Sequence, residues 1–147
     1  MEQILDLPVN QEKTLRYAGF WIRAAAAIID SIILLIAIVA VSFVVGLVVG
    51  LVGGIIMYYV LAFFGGMAYF FVMESSEKQA TYGKMAVGIK VGNANGERLT
   101  FGNAVGRYFS KIVSGMILYI GFMMAGWDAK KQALHDKIAD TYVFYAD

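Results

Sequence analysis

The longest feature of the hydrophobic pattern is a run that contains no charged residue. No Asp, Glu, Lys, Arg or His lies between Asp30 and Glu74, a stretch of 43 residues. A membrane-spanning helix needs about 20 apolar residues, so this stretch has room for two of them. The glycine cluster GLVGG at 50–54 lies at its middle and predicts the reversal between them. We therefore predict two spanning helices, over residues 31–50 and 54–73.

Helices of this length place both ends of the hairpin at the same face of the membrane. Each is about 30 Å long at about 1.5 Å per residue, which matches the hydrocarbon thickness. Asp30 and Glu74 then lie level with each other. Basic residues cluster beyond both ends, which predicts that these ends face the cytoplasm and that the N-terminus is cytoplasmic. These residues are Lys13, Arg16 and Arg23 before the first helix, and Lys78, Lys84, Lys90, Arg98, Arg107 and Lys111 after the second.

The composition agrees with a membrane protein. Hydrophobic residues make up 60% of the chain and charged residues 16%, whereas soluble domains have about 45–50% and about 25%. We expect an all-α integral membrane protein whose main partner is the lipid bilayer. A net charge of +1 gives no reason to expect a nucleic-acid partner, and the absence of cysteine excludes disulfides and thiolate metal sites. Residues 1–17 lack the basic start and apolar core of a secretory signal.

Residues 82–101 are polar and have the pattern of a short β-element. Alternating apolar residues stand on both sides of an Asn95-Gly96 pair, which favours a type I′ turn. We predict a small cytoplasmic β-hairpin here and a further, C-terminal strand in TYVFY at 141–145. The alternating residues are Val87, Ile89 and Val91 before the turn, and Leu99 and Phe101 after it.

Residues 101–127 form a third apolar segment, which either crosses the membrane or returns. Only 16 uncharged residues separate Lys111 from Asp128, which is short for a crossing. A crossing would also place the C-terminal lysines outside, against the positive-inside bias, and would remove the C-terminal strand from the hairpin. We therefore favour a re-entrant segment that reverses near Gly115 or Gly121, with a spanning helix as the alternative.

The chain is predicted to form one domain over residues 1–147. DAKKQALHDKIAD at 128–140 is typical of a helix with Asp128 as its N-cap and with Leu134 and Ile138 on one face. The predicted segments are helix 1 at 17–50, helix 2 at 54–74, the β-element at 82–101, the third membrane segment at 101–127, and the C-terminal helix and strand at 128–145.

Small residues recur every four positions on two of the apolar segments. Gly46 and Gly50 lie on the first helix, and the third segment carries a longer stripe. Such residues let two helices approach closely. We expect packing within one chain, with the interface of a homo-oligomer as the alternative. The stripe on the third segment consists of Gly102, Gly106, Ser110 and Ser114.

Arg23 and Asp30 are charged residues at the edge of the first apolar run. They are seven positions apart, so they share one helix face at a separation of about 10 Å along the axis. A direct salt bridge is not expected, because helical side chains lean toward the N-terminus and Arg23 leans away from Asp30. We expect Arg23 to reach the lipid phosphates. Asp30 needs a partner from another segment, with Arg107 first and Lys111 or His135 as alternatives, and its role is either functional or structural.

The sequence gives no support for catalysis, a metal or a cofactor. The Gly-Lys pair at 83–84 lacks the upstream glycine of a phosphate-binding loop, and no GxSxG or HExxH motif occurs. Asp128 and His135 are seven positions apart and can share a helix face, but a lone histidine with carboxylates is only a weak indication of a metal site. We therefore predict that the protein is not an enzyme and binds neither a metal nor a cofactor.

Four stretches of the chain resemble the RDD family of small prokaryotic membrane proteins, which is named for one arginine and two aspartates. They cover residues 17–145 in the family's order. Carried over by position, the arginine is Arg23 and the aspartates are Asp30 and Asp136. Asp140 departs from the pattern, because a glycine is expected there. The four stretches are YAGFWIRAAAAIID (17–30), TYGKMAVGIKV (81–91), NGERLTFGNAVGR (95–107) and LHDKIADTYVF (134–144).

The resemblance implies a location and a polar cluster, and little about activity. It implies a multi-pass protein of the prokaryotic inner cell membrane, with transport of an unidentified solute or cation/proton exchange suggested for the family. Three hydrophobic segments are too few to enclose a pathway, so transport would require a homo-oligomer. A non-transporting scaffold or accessory module is the alternative. The polar cluster expected beneath the cytoplasmic β-element consists of Arg23, Asp30, Arg107, His135 and Asp136.

Overall fold

The computed structural model describes residues 15–117 and 120–146, and most of them are helical. One π-helical turn (Leu61–Gly65) joins α2 to α3, and a 3-10 turn (Met124–Gly126) follows α6. The helical architecture and the small antiparallel sheet confirm the predicted fold class. The elements are α1 (Phe20–Val49), α2 (Leu51–Val60), α3 (Gly66–Ser75), α4 (Tyr82–Ala86), β1 (Ile89–Gly92), α5 (Phe101–Met116), α6 (Ile120–Met123), α7 (Leu134–Ile138) and β2 (Tyr142–Tyr145).

Two long apolar helices form the membrane hairpin. Helix α1 and the continuous helix Leu51–Ser75 are each long and apolar enough to cross a membrane, which confirms the two predicted spanning helices. Gly50 alone joins them, and its φ of 98° is a conformation that glycine adopts readily because it has no Cβ. The reversal therefore occupies the first residue of the predicted glycine cluster. Helix α1 begins at Phe20, so the helix extends beyond the membrane-spanning part predicted at 31–50 and lies within the predicted helix 1 at 17–50.

The side chains of the hairpin point mostly outward. Ala26, Asp30 and Ser42 are the buried residues of α1, and Gly54 is the buried residue of α2. The side chain of Leu47, for example, is 72% exposed. An apolar helix without a protein covering is stable in lipid rather than in water. The exposed apolar surface is therefore the surface that contacts the bilayer.

Glycines bring the two helices of the hairpin together. A Cβ on Gly54 would lie 2.9 Å from the Cα of Gly46, so these helices pack backbone to backbone within one chain. The small-residue stripe on α5 divides into two parts. Ser110 and Ser114 are buried, whereas a Cβ on Gly106 would meet nothing within 4 Å. Only the second part of the stripe is therefore covered within this chain.

Strands β1 and β2 form an antiparallel sheet at the open end of the hairpin. Val91 pairs with Val143, and both side chains are fully buried. They belong to a small hydrophobic core that also includes Ala26 of α1 and Ile89 of β1. The C-terminal strand predicted at 141–145 therefore pairs with the strand that precedes the Asn-Gly turn.

The predicted β-hairpin is wrong in its second strand. The turn after β1 is present, and Gly96 has a φ of 78°. Leu99 is buried in a loop, and Phe101 is the first residue of α5. The cause is Thr100, whose hydroxyl accepts a hydrogen bond of 3.2 Å from the N–H of Asn103 and caps that helix.

The helix predicted over 128–140 is also wrong in its length, because α7 covers only a later part of it. Asp128 does not cap α7. Its carboxylate accepts hydrogen bonds of 3.1 Å from the N–H groups of Lys130 and Gln132 and so holds a turn before the helix. The predicted apolar face is not buried either, since Ile138 is 55% exposed.

Asp140 occupies a position that favours glycine. Its φ is 49°, in the left-handed region, where a Cβ is unfavourable and only a few residue types such as Asp and Asn are tolerated. This conformation gives a physical reason for the glycine expected from the family pattern. The entry into β2 is intact, since Thr141 donates its N–H to the carbonyl of Asp136 at 2.9 Å.

The third apolar segment begins and ends at the same end of the hairpin. The N–H of Ala18, just before α1, donates to the carbonyl of Val143 at 2.8 Å, and the N–H of Tyr145 donates to the carbonyl of Arg16 at 2.9 Å. These bonds hold β2 beside the start of α1. Between α5 and β2, the axis of Ile120–Gly126 is bent by 115° from that of α5. This geometry favours the re-entrant form of the segment.

We expect the C-terminus and the loop after α3 to lie on one side of the membrane and the hairpin turn on the other. The chain has no cysteine, so Lys78→Cys, Ala146→Cys and Leu51→Cys, each at an exposed position, give unique labelling sites. In sealed vesicles of uniform orientation, an impermeant maleimide should either label both position 78 and position 146 or label neither. Position 51 should give the opposite result. Opposite results for positions 78 and 146 would show instead that the third segment crosses.

Candidate functional site

Charged side chains gather at the open end of the hairpin, between α1, α3, α4, α5 and α7. Asp30, Glu74 and Arg107 are each no more than 2% exposed. Burying a charge is unfavourable unless the charge is paired, so the contacts of each group decide what this site can do. We call the set the charge cluster. Its members are Arg23, Asp30, Glu74, Lys84, Arg107, Lys111 and Asp136.

Asp136 is the central acceptor of one half of the charge cluster. Its Oδ2 receives Nη1 of Arg23, and its Oδ1 receives Nη1 of Arg107. Oδ2 also accepts the N–H of Ala133 at 3.0 Å, which fixes the first turn of α7. Burial alone raises the pKa of Asp136, but Arg107 and Arg23 outweigh burial and hold that pKa below its ordinary value. Asp136 is therefore an anion.

Arg23 joins three parts of the chain. Its Nε donates to the carbonyl of Ala18 at 2.9 Å, its Nη2 donates to the carbonyl of Lys131 at 2.5 Å, and its Nη1 contacts Asp136. The side chain leans toward the N-terminus of α1, as helical geometry requires. The expectation that Arg23 reaches the lipid phosphates is wrong, because these protein acceptors occupy its guanidinium.

Arg107 connects the two halves of the charge cluster. Its Nη1 contacts Asp136 and donates to Oγ1 of Thr141 at 2.9 Å. Its Nε lies 3.1 Å from Oε2 of Glu74. The expectation that Arg107 pairs with Asp30 is therefore wrong, since Arg107 binds two other carboxylates. Both belong to elements that pack against α5, and that packing aims the guanidinium.

Glu74, at the end of α3, is the acceptor of the other half. Its Oε1 receives Nζ of Lys84 and lies 3.6 Å from Nζ of Lys111. Its Oε2 faces Arg107. Burial lowers the pKa of Lys84, and the contact with Glu74 offsets this only in part. Glu74 thus contacts cations from two elements, α4 and α5.

Asp30 is held by neutral donors. Its Oδ1 accepts the hydroxyl of Tyr69 at 2.6 Å and the N–H of Gly83 at 2.7 Å, and its Oδ2 accepts the hydroxyl of Thr81 at 2.6 Å. Among the residues that the structure describes, no lysine, arginine or histidine lies within salt-bridge distance of Asp30. The predicted partners Arg107, Lys111 and His135 are therefore all wrong. The three hydrogen bonds supply partners to both oxygens of the Asp30 carboxylate without a cation.

The TYGK motif at 81–84 explains why Asp30 needs no cation. Thr81 caps α4, and its hydroxyl then points at Asp30. A Cβ on Gly83 would lie 2.2 Å from the carbonyl oxygen of Ala26, so only glycine lets α4 sit this close to α1. Lys84 completes the motif by reaching Glu74. Each of these side chains or backbone groups fastens α4 to the hairpin.

His135 lies beside Asp136 but is not charged. Its Nε2 is 3.4 Å from Oδ1 of Asp136, its Nδ1 is 3.5 Å from Oγ of Ser114, and its ring lies 5.1 Å from that of Phe122. Burial is the main reason that the pKa of His135 is lowered to about 3; Asp136 raises this pKa but does not offset burial together with the nearby cations Arg107, Lys111 and Arg23. At neutral pH His135 is therefore a neutral, buried polar group.

The structure brings together four of the five residues predicted to form a polar cluster. Arg23, Arg107, His135 and Asp136 meet around α7, while Asp30 belongs to a separate set of contacts with α3 and α4. Sequence reasoning missed Glu74, Lys84, Tyr69 and Thr81. Two signals pointed to part of this set: Glu74 lies at the level of Asp30 in the predicted hairpin, and Thr81 and Lys84 belong to a motif of the resembling family.

The arrangement offers no set of groups that would hold a metal ion. Over residues 15–117 and 120–146, no three His, Asp or Glu side chains come together as a metal-binding group. The oxygens of Asp30, Glu74 and Asp136 face cations or hydrogen-bond donors of the protein itself. What the cluster does chemically is to join helices through ion pairs between buried side chains.

Removing one partner of the buried network is expected to destabilise the protein strongly. Asp136→Asn leaves Arg23 and Arg107 without their anion, and breaking a buried ion pair from one side costs about 3–5 kcal/mol. Asp128→Asn is the matched control, because it breaks a pair with Lys137 near the surface, which is typically worth about 1 kcal/mol or less. Thermal unfolding in detergent measures both. Equal losses in the two variants would contradict a central role for Asp136.

Acidification is expected to destabilise the protein through His135. The pKa of His135 is about 3 in the folded state and about 6.5 in an unfolded chain. Between these values the unfolded state binds the additional proton, so the free energy of unfolding falls as the pH falls, by up to about 1.4 kcal/mol per pH unit. The apparent Tm of the wild type should therefore drop from pH 7 to pH 4.5. His135→Gln should flatten this profile, and an equally steep profile in the variant would refute the assignment.

Comparison with known proteins places the chain in a family. The model of the RDD family matches residues 17–140. The uncharacterized protein YxaI of Bacillus subtilis (strain 168) is 38% identical over 147 aligned residues, which cover 87% of this chain and 97% of YxaI. The uncharacterized membrane protein YteJ of the same organism is 35% identical over 140 residues, which cover 88% of this chain and 81% of YteJ.

A third relative shares only part of its length with this chain. The proline-rich antigen homolog of Mycobacterium tuberculosis (strain ATCC 25618 / H37Rv) is 35% identical over 82 residues, which cover 52% of this chain and 34% of that protein. No solved structure gives a significant match. The family match, the two full-length relatives and the apolar hairpin agree with the resemblance seen in the sequence. The chain is a membrane protein of the RDD family.

Proposed function

We propose that this protein is a membrane-embedded scaffold or accessory module without enzymatic or transport activity. The observation that carries the proposal is that the ion pairs of the charge cluster join helices to one another. Asp136 joins α1, α5 and α7 through Arg23 and Arg107, and Glu74 joins α3, α4 and α5. The charges are thus used to hold polar elements on an apolar hairpin. This arrangement favours a function as a rigid platform at the membrane surface.

The environment of Asp30 supports the same proposal. A carboxylate that binds and releases a proton or cation during transport needs access to that ion. Asp30 is 2% exposed, and Tyr69, Thr81 and Gly83 supply hydrogen bonds to both of its oxygens. Its contacts join α1 to α3 and α4. These features favour a structural role for the Asp30 carboxylate as a hydrogen-bond acceptor.

Transport of a cation, proton or small solute by a homo-oligomer is the second candidate. The observation that favours it is a cavity of about 570 Å³ that reaches Asp30 and His135 at the open end of the hairpin. Arg23, Lys84 and Arg107 also line this cavity. Cationic walls repel a cation, so we rank cation transport below the scaffold.

The same proposal includes an orientation in the bacterial cell membrane. The open end of the hairpin carries the basic residues that follow α3, and basic loops favour the cytoplasmic side. We propose that the N-terminus, the sheet and the charge cluster are cytoplasmic, and that Gly50 lies at the opposite face. The maleimide labelling described above also decides this point, when it is carried out in intact cells.

Asp30→Asn separates the scaffold from the transporter. Tyr69, Thr81 and Gly83 all donate to the carboxylate of Asp30, and an asparagine would present an NH₂ group to at least one of them. A buried donor that loses its acceptor lowers the free energy of unfolding by about 1–3 kcal/mol. The scaffold proposal predicts a lower apparent Tm and no ion flux above empty vesicles for either wild type or variant. Asp140→Asn is the matched control, because Asp140 is exposed and asparagine tolerates its left-handed φ.

The measurement combines thermal unfolding with flux. Proteoliposomes that contain a pH-sensitive or cation-sensitive dye report flux, and the same preparations give the apparent Tm. If the wild type carries flux that Asp30→Asn abolishes without a change in Tm, the protein transports and the scaffold proposal fails. A loss of Tm without any flux in the wild type supports the scaffold.

A further inference from the structure

The cavity beside the charge cluster has features of a ligand site. Its volume of about 570 Å³ lies within the range of about 300–1,000 Å³ that is typical of small-molecule sites. Its wall is mainly apolar, and four residues with cationic groups are among those that line it. These four are Arg23, Lys84, Arg107 and Lys111, and the apolar residues include Phe20, Phe70, Phe122 and Met123.

The anions that balance these cationic residues mostly do not line the cavity. Asp136 and Glu74 contact the arginines and lysines but do not line the cavity. Asp30 lines it, but both of its oxygens accept hydrogen bonds from the protein. The cavity therefore lies beside these positive charges, although Arg23, Lys84 and Arg107 direct their nitrogens at acceptors of the protein itself.

The charges of the cluster do not cancel within the described part of the chain. Four cations, Arg23, Lys84, Arg107 and Lys111, face three carboxylates, those of Asp30, Glu74 and Asp136, and His135 is neutral. One positive charge is left over. In a site of low polarity an uncompensated charge is costly, so a bound anion of single charge would be strongly favoured.

Lys111 is the cation with the weakest internal compensation. The oxygen of Glu74 nearest to it, at 3.6 Å, already receives Lys84. The ammonium of Lys111 otherwise lies over the rings of Phe70, at 4.6 Å, and Tyr108, at 6.0 Å. Its side chain is 21% exposed, more than those of Lys84 and Arg107. Lys111 is therefore able to donate hydrogen bonds to a ligand in the cavity.

We propose that this cavity binds a phosphate ester of single negative charge that is attached to an apolar group, with Lys111 as its principal contact. A phosphodiester supplies the single charge that the cluster lacks, and lysine binds phosphate as a point charge. The aromatic wall receives the apolar group. Basic pockets between membrane helices are suited to lipid headgroups. The same chemistry also fits a free phosphate compound, and the experiment distinguishes these two sources.

The test uses the full-length chain in a neutral maltoside detergent, with phosphatidylglycerol, phosphatidylcholine and inorganic phosphate as probes. Native mass spectrometry counts bound lipid, and thermal unfolding measures stabilisation. Phosphatidylglycerol should bind with a stoichiometry of one and raise the apparent Tm, whereas zwitterionic phosphatidylcholine should not. Lys111→Gln should weaken phosphatidylglycerol binding about tenfold or more, because a charge-assisted hydrogen bond contributes roughly one decade of affinity. Lys78→Gln, an exposed lysine at the same end, is the matched control and should bind as the wild type does.

Each outcome decides the proposal or its source. If inorganic phosphate raises the apparent Tm as much as the lipid does, and Lys111→Gln loses this effect, the site binds free phosphate compounds. If only the lipid raises the apparent Tm, the site binds a lipid headgroup. Without ligand, Lys111→Gln should be at least as stable as the wild type, because it removes the uncompensated charge. Equal binding by Lys111→Gln and wild type overturns the proposal. If Lys111→Gln does not fold, the wild type is measured in an equal mixture of phosphatidylglycerol and phosphatidylcholine. Equal occupancy of the site by the two lipids overturns the proposal.

Discussion

The guanidinium of Arg107 lies between two buried carboxylates, one from the middle of the chain and one from near its C-terminus. Asp136 belongs to α7, and Glu74 ends the second membrane helix. A guanidinium spreads its charge over three nitrogens, so Asp136 contacts Nη1 while Glu74 forms an ion pair with Nε at 3.1 Å. Loss of either carboxylate would leave a buried charge, and the helices that carry these groups are thereby locked to α5. The placement of α7, and through it of β2, follows from this contact.

The three residues that give the family its name do not act as one contact. Arg23 and Asp136 form a pair, and Asp30 lies apart from them among neutral donors. Helix α4 links the two sets, because Thr81 and Gly83 bind Asp30 and the next residue, Lys84, binds Glu74. The short TYGK motif is therefore as much a part of the site as the named residues. Asp30 positions α4, and α4 then delivers a cation to Glu74.

The membrane hairpin could be predicted from the sequence because hydropathy is a local property. The uncharged run after Asp30 and the glycines at 50–54 specify two helices and a turn without any knowledge of the rest of the chain. The lean of Arg23 away from Asp30 could also be predicted, since side-chain direction is set within one helix. The identity of Arg23's partner could not be predicted, because Asp136 is 113 positions away and is brought near only by the tertiary fold.

The predictions that were wrong concern residues whose local sequence pattern is compatible with two different structures. Alternation through Phe101 favours a strand, but Thr100 is a strong helix cap and α5 begins there. Asp128 is a residue type that favours the N-cap of a helix, yet its carboxylate accepts hydrogen bonds from the N–H groups of Lys130 and Gln132 in the turn that follows it. For Asp30, opposite charge predicts a cationic partner, whereas neutral hydroxyl donors such as Tyr69 and Thr81 carry no charge that would single them out in a sequence.

The placement of the charges determines how the two sides of the site differ. Asp136 and Glu74 join helices and do not line the cavity, whereas the arginines and lysines that they contact are among its lining residues. Exchanging the signs would give the same number of ion pairs but a cavity suited to a cation. Holding the helices together and placing positive charge beside the cavity are therefore two consequences of one arrangement. Lys111 illustrates this, because the Glu74 oxygen nearest to it, at 3.6 Å, already receives Lys84.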